Sequence, residues 1–162
     1  ISMTRLVLAS GSKVRAELLT GAGITFDVRP AGVDEGALKK SKTGMAANDL
    51  AESLAHAKAR AVSKDTMEAL VIGADQILEC EGQIYDKPVG ENGVRSHLRS
   101  LRGRVHRLVS AVCVAEEGTI AWSHTAIAMM TMRGFDDIYL EHYIQQAGPE
   151  VQSSVGAYRL ED

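Results

Sequence analysis

Residues 69–80 read Ala-Leu-Val-Ile-Gly-Ala-Asp-Gln-Ile-Leu-Glu-Cys, and this stretch decides the fold class. Its apolar residues predict a buried strand, because a short continuous apolar run is typical of a strand inside a sheet. The segment Gly73-Ala74-Asp75-Gln76 interrupts that run. Burying a carboxylate costs several kcal/mol unless it is paired or binds a metal. Asp75 is therefore a candidate metal ligand or general base, and the alternative is an Asp in a strand-end turn that faces water.

On both sides of this strand, turn signals and amphipathic runs predict helices that alternate with strands. Residues 36–45 are rich in glycine, lysine, serine and threonine and predict a loop. A hairpin is expected at Glu117-Gly118, which excludes a purely parallel sheet. The sequence therefore predicts an α/β fold with a mixed sheet. Predicted strands cover residues 6–10, 26–33, 69–80, 105–115 and 119–132, with a short one that ends near residue 87, and predicted helices cover 12–23, 46–63, 91–101 and 135–147.

Length and composition indicate one globular domain that covers residues 1–162. The hydrophobic share of 45% and the charged share of 24% exclude a disordered chain, a collagen-like fibre and a disulfide miniprotein. The formal net charge is −3 and no charged tail is present. We therefore expect no binding to nucleic acid and none to an anionic membrane.

The two cysteines bear on the compartment. Cys80 and Cys113 lie in apolar runs without a CxxC spacing, which predicts buried free thiols and a reducing environment. No apolar segment reaches the ~18 residues that a membrane span needs. The first residues also lack the basic and apolar regions of a secretory signal. We expect a cytoplasmic protein.

A first candidate site lies where the first predicted strand meets the first predicted helix. Ser10-Gly11-Ser12-Lys13 offers free backbone N–H groups at the positive end of a helix, which suits a phosphate. Arg15, one turn into the helix, can bind phosphate oxygens through two N–H groups. The alternative is that Ser12 simply caps the helix. A serine hydrolase that uses Ser10 or Ser12 is disfavoured, because the stretch is not a GxSxG nucleophile elbow.

Further charged residues interrupt the pattern elsewhere. Lys58 lies on the apolar stripe of the predicted helix 46–63, and the alternative to a functional role is a lysine whose stem extends to water. Asp34-Glu35 and Lys87-Pro88 each follow a predicted strand, where they could be ordinary surface charges. Taken together, acids and cations at strand ends can hold a metal and a polyphosphate.

Seven blocks of the chain, in order, resemble the signature of the Maf family of nucleoside triphosphate pyrophosphatases, also called septum-formation-inhibitor-like proteins. The resemblance extends from Leu6 to about Glu161. It implies a twisted mixed sheet with flanking helices, a central cleft of the Maf/ITPase type, and a homodimer. The blocks are 8–19 (LASGSKVRAELL), 33–35 (VDE), 54–59 (LAHAKA), 73–75 (GAD), 87–88 (KP), 101–106 (LRGRVH) and 155–158 (VGAY).

The resemblance also implies metal-dependent hydrolysis of nucleoside triphosphates to monophosphate and pyrophosphate, with Mg²⁺, Mn²⁺ or Co²⁺ as the cation. By similarity, Asp75 accepts the proton of the attacking water and Glu35 helps it bind the metal. Lys58 and Lys87 then stabilise charge on the phosphates. The residues that cradle the phosphates by similarity are Ser10, Ser12 and Arg15.

This chain departs from the family pattern at three positions that concern the base. Val14 stands where many members have an arginine, Gln76 where many have a threonine, and Glu161 where a glutamine is usual. A preference for dTTP or UTP is therefore not expected. Gln76 instead resembles the subgroup that acts on 7-methyl-GTP, or a further branch of the family. Family members usually continue after the block that ends at Tyr158 with a further strand and helix. From the resemblance we expect this C-terminal segment to be absent, either because the protein is truncated or because the sequence is a piece of a longer one.

Two functions remain open at this stage. The first is a pyrophosphatase that removes modified or excess nucleotides. The second is a nucleotide-binding regulator of cell division without turnover. Retention of Asp75, Glu35, Lys58 and Lys87 favours the enzyme, because a sensor would not need a base.

Overall fold

The central strand of the sheet is β3, Ala69–Cys80, with the bounds that the sequence predicts. The structure is a computed structural model that describes residues 4–159. The described strands form one mixed sheet in the order β2-β1-β3-β5-β6, with β4 paired to β3. β1 runs parallel to β2 and β3, whereas β4 runs antiparallel to β3. The α/β fold with a mixed sheet and flanking helices is therefore confirmed.

The other elements follow in chain order. The strands are β1 (Arg5–Leu8), β2 (Asp27–Val28), β4 (Gln83–Tyr85), β5 (Val105–Glu116) and β6 (Thr119–Thr131). The helices are α1 (Lys13–Gly21), α2 (Glu35–Ser41), α3 (Ala47–Ser63), α4 (Gly90–Leu101) and α5 (Asp137–Ala147), with a short 3₁₀ helix at Gly148–Ser153.

The sequence prediction is wrong in two places. The predicted loop 36–45 contains α2, which forms because the side chain of Asp34 accepts a hydrogen bond from the backbone N–H of Ala37 at 2.9 Å and caps the helix. The predicted strand 26–33 is paired only at Asp27–Val28. The helix 46–63 and the hairpin at Glu117-Gly118 are confirmed.

The described residues form two compact units. The first unit takes in the chain up to Gln76 together with Ser110–Ala126. Its core joins β1, β3 and the end of α3, through the buried residues Val7, Ala9, Val62, Ala69 and Val71.

The second unit takes in Ile77–Val109 and the chain from Ile127 onward. One of its clusters joins α4, α5 and the 3₁₀ helix, through Val94, Leu98, Leu140, Ile144, Val151 and Ala157. A second cluster consists of Leu78, Cys80, Tyr85, Leu101 and Leu108.

Side chains of β3 alternate between the two faces of the sheet in the first unit. The odd-numbered residues from Ala69 to Asp75 are buried, and Gly73 and Asp75 meet α3. The even-numbered residues are half-buried, and Gln76 is exposed. This alternation determines which side chains of β3 can share one site.

Candidate functional site

The frame of the site is the carboxyl end of β1 and the neighbouring part of β3. The two strands are paired in parallel only up to Leu8 and Ile72, with one further bond from the backbone N–H of Ala9 to the carbonyl of Ile72. Ser10 and Asp75 therefore lie just beyond the paired segment. β1 lies between β2 and β3 in the sheet. The loop after β1 therefore begins at the carboxyl end of a strand with a neighbour on each side, which is where ligands of open α/β sheets bind.

Ser10 connects the loop after β1 to α1. Its buried Oγ accepts one hydrogen bond from the backbone N–H of Ser12 at 3.2 Å and another from Nη1 of Arg15 at 3.0 Å. Ser12 occupies the N-cap position of α1, but its side chain makes no capping hydrogen bond. The alternative of a capping serine hydroxyl is therefore not observed. A guanidinium, rather than a base, lies next to the Ser10 hydroxyl.

Lys58 is placed by the middle of α3 and is buried. Its Nζ donates to Oδ1 of Asp75 at 2.7 Å and lies 2.9 Å from Oε1 of Glu35. The alternative of a lysine that extends to water is thereby excluded. One ammonium group holds two carboxylates that are 40 residues apart in the chain.

Glu35 reaches this ammonium because it is the first residue of α2, directly after the capping residue Asp34. Its side chain is 47% exposed, whereas that of Asp75 is 7% exposed. The cluster formed by Glu35, Lys58 and Asp75, called here the carboxylate–lysine cluster, is therefore open to solvent on the Glu35 side.

Burial is the main influence on Asp75. Desolvation raises the pKa of its carboxyl above the ordinary value of 3.8, the neighbouring Lys58 lowers it in part, Glu35 raises it, and Arg15 lowers it. A buried carboxylate with a raised pKa beside cations can act as a general base. Arg15, which donates to Ser10, is therefore near enough to Asp75 for its charge to act on this carboxyl.

Gly73 allows the close approach of α3 to β3. A Cβ atom at this position would lie 2.4 Å from the carbonyl oxygen of Ala55 and 2.7 Å from the Cβ of Ala59. Because Ala55 and Ala59 flank Lys58 on α3, this contact sets the distance between Lys58 and Asp75. Gly73 therefore positions the cluster without taking part in it.

Two of the three residues expected to concern the base, Gln76 and Val14, belong to the described part of the chain. Gln76 follows Asp75 but points to the opposite face of β3, where its Nε2 donates to Oγ of Ser110 at 2.9 Å. Val14 is in the first turn of α1 and is 39% exposed. Sequence reasoning missed Ser110. A polar residue inside the apolar run of β5 was the available signal.

The remaining predicted site residues are Lys87 and Glu161. Lys87 belongs to the second unit, where it is exposed and precedes the buried Pro88. Glu161 lies outside the described residues. Their roles stay predictions.

The donor set of the cluster suits a hard cation. Mg²⁺ and Mn²⁺ prefer oxygen ligands, and nucleotide-bound Mg²⁺ is commonly held by one or two carboxylates together with phosphate oxygens. Glu35 and Asp75 supply two such carboxylates. Within residues 4–159, no three His, Cys, Asp or Glu side chains are grouped so that they could hold a metal ion. The residues present therefore fit a metal that a polyphosphate helps to hold.

A serine, a histidine and a glutamate also meet in the first unit, but their hydrogen bonds do not suit hydrolysis. Oγ of Ser123 donates to Oε1 of Glu52 at 3.2 Å and lies 2.8 Å from Nε2 of His56. Since the single hydroxyl hydrogen is directed to Glu52, His56 is the donor in the second bond. A serine nucleophile needs a histidine that accepts its proton. The group joins α3 to β6 instead.

Two family-like blocks, residues 101–106 and 155–158, have a structural explanation in the second unit. Nε2 of His106 and the hydroxyl of Tyr158 are 2.7 Å apart, and their rings meet edge to face. Gly156 has no room for a Cβ, which would lie 2.6 Å from Leu78. These blocks therefore hold the second unit together.

Among the described helices, none has the length and apolar character needed to cross a membrane.

The chain is similar to several known proteins. The nucleoside triphosphate pyrophosphatase of Paramagnetospirillum magneticum is 48% identical over 157 residues, which cover 96% of this chain and 81% of that protein. The 7-methyl-GTP pyrophosphatase of Rhizobium meliloti is 39% identical over 158 residues, which cover 96% of this chain and 79% of that protein. Among solved structures, a HAM1 protein from Coxiella burnetii has a TM-score of 0.49 and 16% identity, and the match covers 78% of this chain and 71% of that one. The family model described as Maf-like protein matches residues 5–162, and the chain belongs to this family.

Proposed function

We propose that this protein hydrolyses nucleoside triphosphates to a nucleoside monophosphate and pyrophosphate. The observation that carries the proposal is the carboxylate–lysine cluster, in which Lys58 bonds both Glu35 and Asp75 and the charge of Arg15 on α1 acts on Asp75. Relatives at 38–48% identity over nearly the whole chain carry the name nucleoside triphosphate pyrophosphatase. A buried base near Arg15 and the N-terminus of α1, which suit phosphate binding, is the arrangement needed to hydrolyse a phosphoanhydride.

Arg15 and the N-terminus of α1 bind the phosphates, because both offer N–H donors and positive charge. Asp75 takes a proton from water as the water oxygen bonds to the α-phosphorus. The bond from that phosphorus to the α–β bridging oxygen then breaks, and pyrophosphate leaves. Lys58 and Lys87 offset the negative charge that builds up on the phosphate oxygens. The proposal assigns Glu35 and Asp75 to a divalent cation, which would neutralise charge on the leaving pyrophosphate.

The substrate is proposed to be a modified purine nucleotide such as 7-methyl-GTP, because a relative with that printed activity is 39% identical. Val14 offers no side-chain hydrogen bond to a base, whereas Gln76 offers a donor and an acceptor. With the Gln76 amide group donating to Ser110, its Oε1 remains as an acceptor. Since β1 ends before Gln76, a nucleotide could extend across this edge of β3 from Asp75 to Gln76.

Product analysis with a panel of nucleotides tests this function. Canonical and modified triphosphates are incubated with Mg²⁺, Mn²⁺ or Co²⁺, and the products are separated by chromatography. Monophosphate and pyrophosphate are expected as the primary products, with loss of activity in EDTA. Diphosphate and orthophosphate would contradict α–β cleavage, and a profile dominated by dTTP and UTP would contradict the proposed base preference.

The alternative, a nucleotide-binding regulator without turnover, makes no use of a base. Binding of a nucleotide with no product after prolonged incubation with each metal would favour it.

The buried free thiols of Cys80 and Cys113 support the proposed cytoplasmic location, since buried free cysteines suit a reducing compartment. The proposed homodimer is tested by light scattering coupled to size-exclusion chromatography.

A further inference from the structure

The ammonium of Lys58 lies between the carboxylates of Glu35 and Asp75. Oδ1 of Asp75 at 2.7 Å and Oε1 of Glu35 at 2.9 Å both accept from the same Nζ. The ammonium is buried, and the close contact of Gly73 with Ala55 and Ala59 holds its helix against β3. One oxygen of each carboxylate is therefore already bonded to a cation that belongs to the protein.

A divalent ion bound to both carboxylates, through these oxygens or through the second oxygen of each group, would lie close to the ammonium. Mg²⁺ and Mn²⁺ bind oxygen at about 2.1 Å, which is shorter than either contact to Nζ. An ion at that position would be repelled by the charge of the ammonium. The ammonium therefore opposes binding of a free divalent ion to the two carboxylates.

We propose that Lys58 is the resident cation of the substrate-free site, which offsets part of the negative charge of Glu35 and Asp75 and disfavours binding of free divalent ions. The phosphates of an incoming nucleotide offer the ammonium new acceptors, and its long flexible stem lets it move to them. The oxygens of the two carboxylates then become free for the ion that the nucleotide carries. Metal binding thus depends on the nucleotide, and this order of binding rests on the proposed function.

The test measures binding of Mn²⁺ alone, without nucleotide or turnover, by electron paramagnetic resonance of the unbound ion. Wild-type protein should show only weak binding. Lys58→Met keeps most of the length of the side chain but removes its charge. This variant should bind one Mn²⁺ at least about tenfold more tightly than the wild type, because a like charge next to the ion is gone. The double variant Lys58→Met with Asp75→Asn should lose this gain, which would locate the ion at the carboxylates.

Lys64→Met is the matched control, since it removes the same charge from an exposed residue that follows α3 directly. Its Mn²⁺ affinity should equal that of the wild type. Lys58→Gln serves if Lys58→Met does not fold, because the amide can still donate to Asp75. In the presence of a triphosphate with a methylene group between the α and β phosphates, wild-type protein should bind more Mn²⁺ than the same triphosphate binds without protein.

The inference is overturned if wild-type protein alone binds Mn²⁺ as tightly as the Lys58 variant that folds, or if removal of the charge brings no gain. Failure of the proposed function would look different. A protein that shows the expected Mn²⁺ pattern but cleaves no triphosphate would keep the resident-cation role of Lys58 and refute the pyrophosphatase.

Discussion

At the scale of single residues, Asp75 is a position where function and stability are opposed. Its folded-state pKa is raised, mainly by burial. A group of this kind stabilises the fold while it is protonated, and that contribution is lost as the pH rises through the folded-state pKa. At neutral pH the buried charge is therefore a cost that Lys58 and Arg15 offset only in part.

Asp75→Asn should accordingly abolish most activity without loss of stability. The amide keeps the size of the side chain and can still accept a hydrogen bond from Lys58, but it cannot take a proton from water. We expect kcat to fall by roughly 10²–10⁴, the usual contribution of a general base. The melting temperature should stay the same or rise. Pyrophosphate release and thermal unfolding measure the two effects.

Asp65→Asn is the control for this variant, because Asp65 is an exposed acid in the turn after α3. It should leave both quantities near the wild-type values. Near-normal turnover in a folded Asp75→Asn protein would show that Asp75 is not the base.

Gln76→Ala should change the choice among nucleotides rather than the chemistry, because the side chain points away from Lys58. We expect the ratio of kcat/KM between the best and the second-best nucleotide to fall more than either value alone. Ser110→Ala should lower the same ratio to a smaller extent, since it only frees the amide. Steady-state kinetics on the two nucleotides measure the effect.

Gln83→Ala, at an exposed position in β4, is the matched control and should leave the ratio unchanged. An unchanged ratio in Gln76→Ala would mean that this residue does not contact the base.

At the scale of elements, the contact of α3 with β3 builds the carboxylate–lysine cluster. Gly73→Ala should push these elements apart, because the added Cβ would lie 2.4 Å from a backbone oxygen that cannot move alone. We expect a loss of about 1–3 kcal/mol in the free energy of unfolding, typical of overpacking. Catalysis should fall as well, since Lys58 is carried by the displaced helix.

Gly21→Ala is the matched comparison for Gly73→Ala. Nothing lies within 4 Å of a Cβ added at this last residue of α1. It should leave activity unchanged and keep or slightly raise the free energy of unfolding measured in urea. Equal behaviour of the two variants would contradict the steric role of Gly73.

Elements with strong periodicity were predictable from the sequence, and those that depend on one side chain were not. α3 and β3 appear with nearly the predicted bounds because their apolar patterns are long. α2 was missed because its lysine-rich composition suggests a loop, and the cap by Asp34 becomes visible only in the structure. Similarly, the sequence offered Asp75 and Lys58 as separate anomalies. Their shared hydrogen bond depends on how closely α3 approaches at Gly73.

At the scale of the whole molecule, one buried and one half-buried histidine link stability to pH. His106 is 2% exposed, and burial lowers the pKa of its imidazole below 6.5; burial also lowers the pKa of His97. The unfolded chain therefore binds more protons than the folded chain as the pH falls through 6.5 toward the folded-state values. Stability rises with pH wherever the unfolded state binds more protons, so it must fall on acidification.

Urea unfolding at pH 7.5 and pH 5.5 tests this linkage. The free energy of unfolding of the wild type should be lower at pH 5.5, and the difference should shrink when His97 and His106 are both replaced by glutamine. At position 106, glutamine can still bond the hydroxyl of Tyr158 but does not titrate. An undiminished difference in the double variant would assign the acid sensitivity to other groups.

The strand β6 has a practical consequence for anyone who concentrates this protein. It ends the strand order of the described sheet, and residues 119–132 contain no Asp, Glu, Lys or Arg. Trp122, Ile127 and Met129 on it are 44–63% exposed. A long, apolar, uncharged edge strand is a template for pairing with another chain, and natural edges usually carry a lysine or a proline against it. Aggregation of the purified protein should therefore begin at β6, and a single surface lysine there is the most direct way to gain solubility.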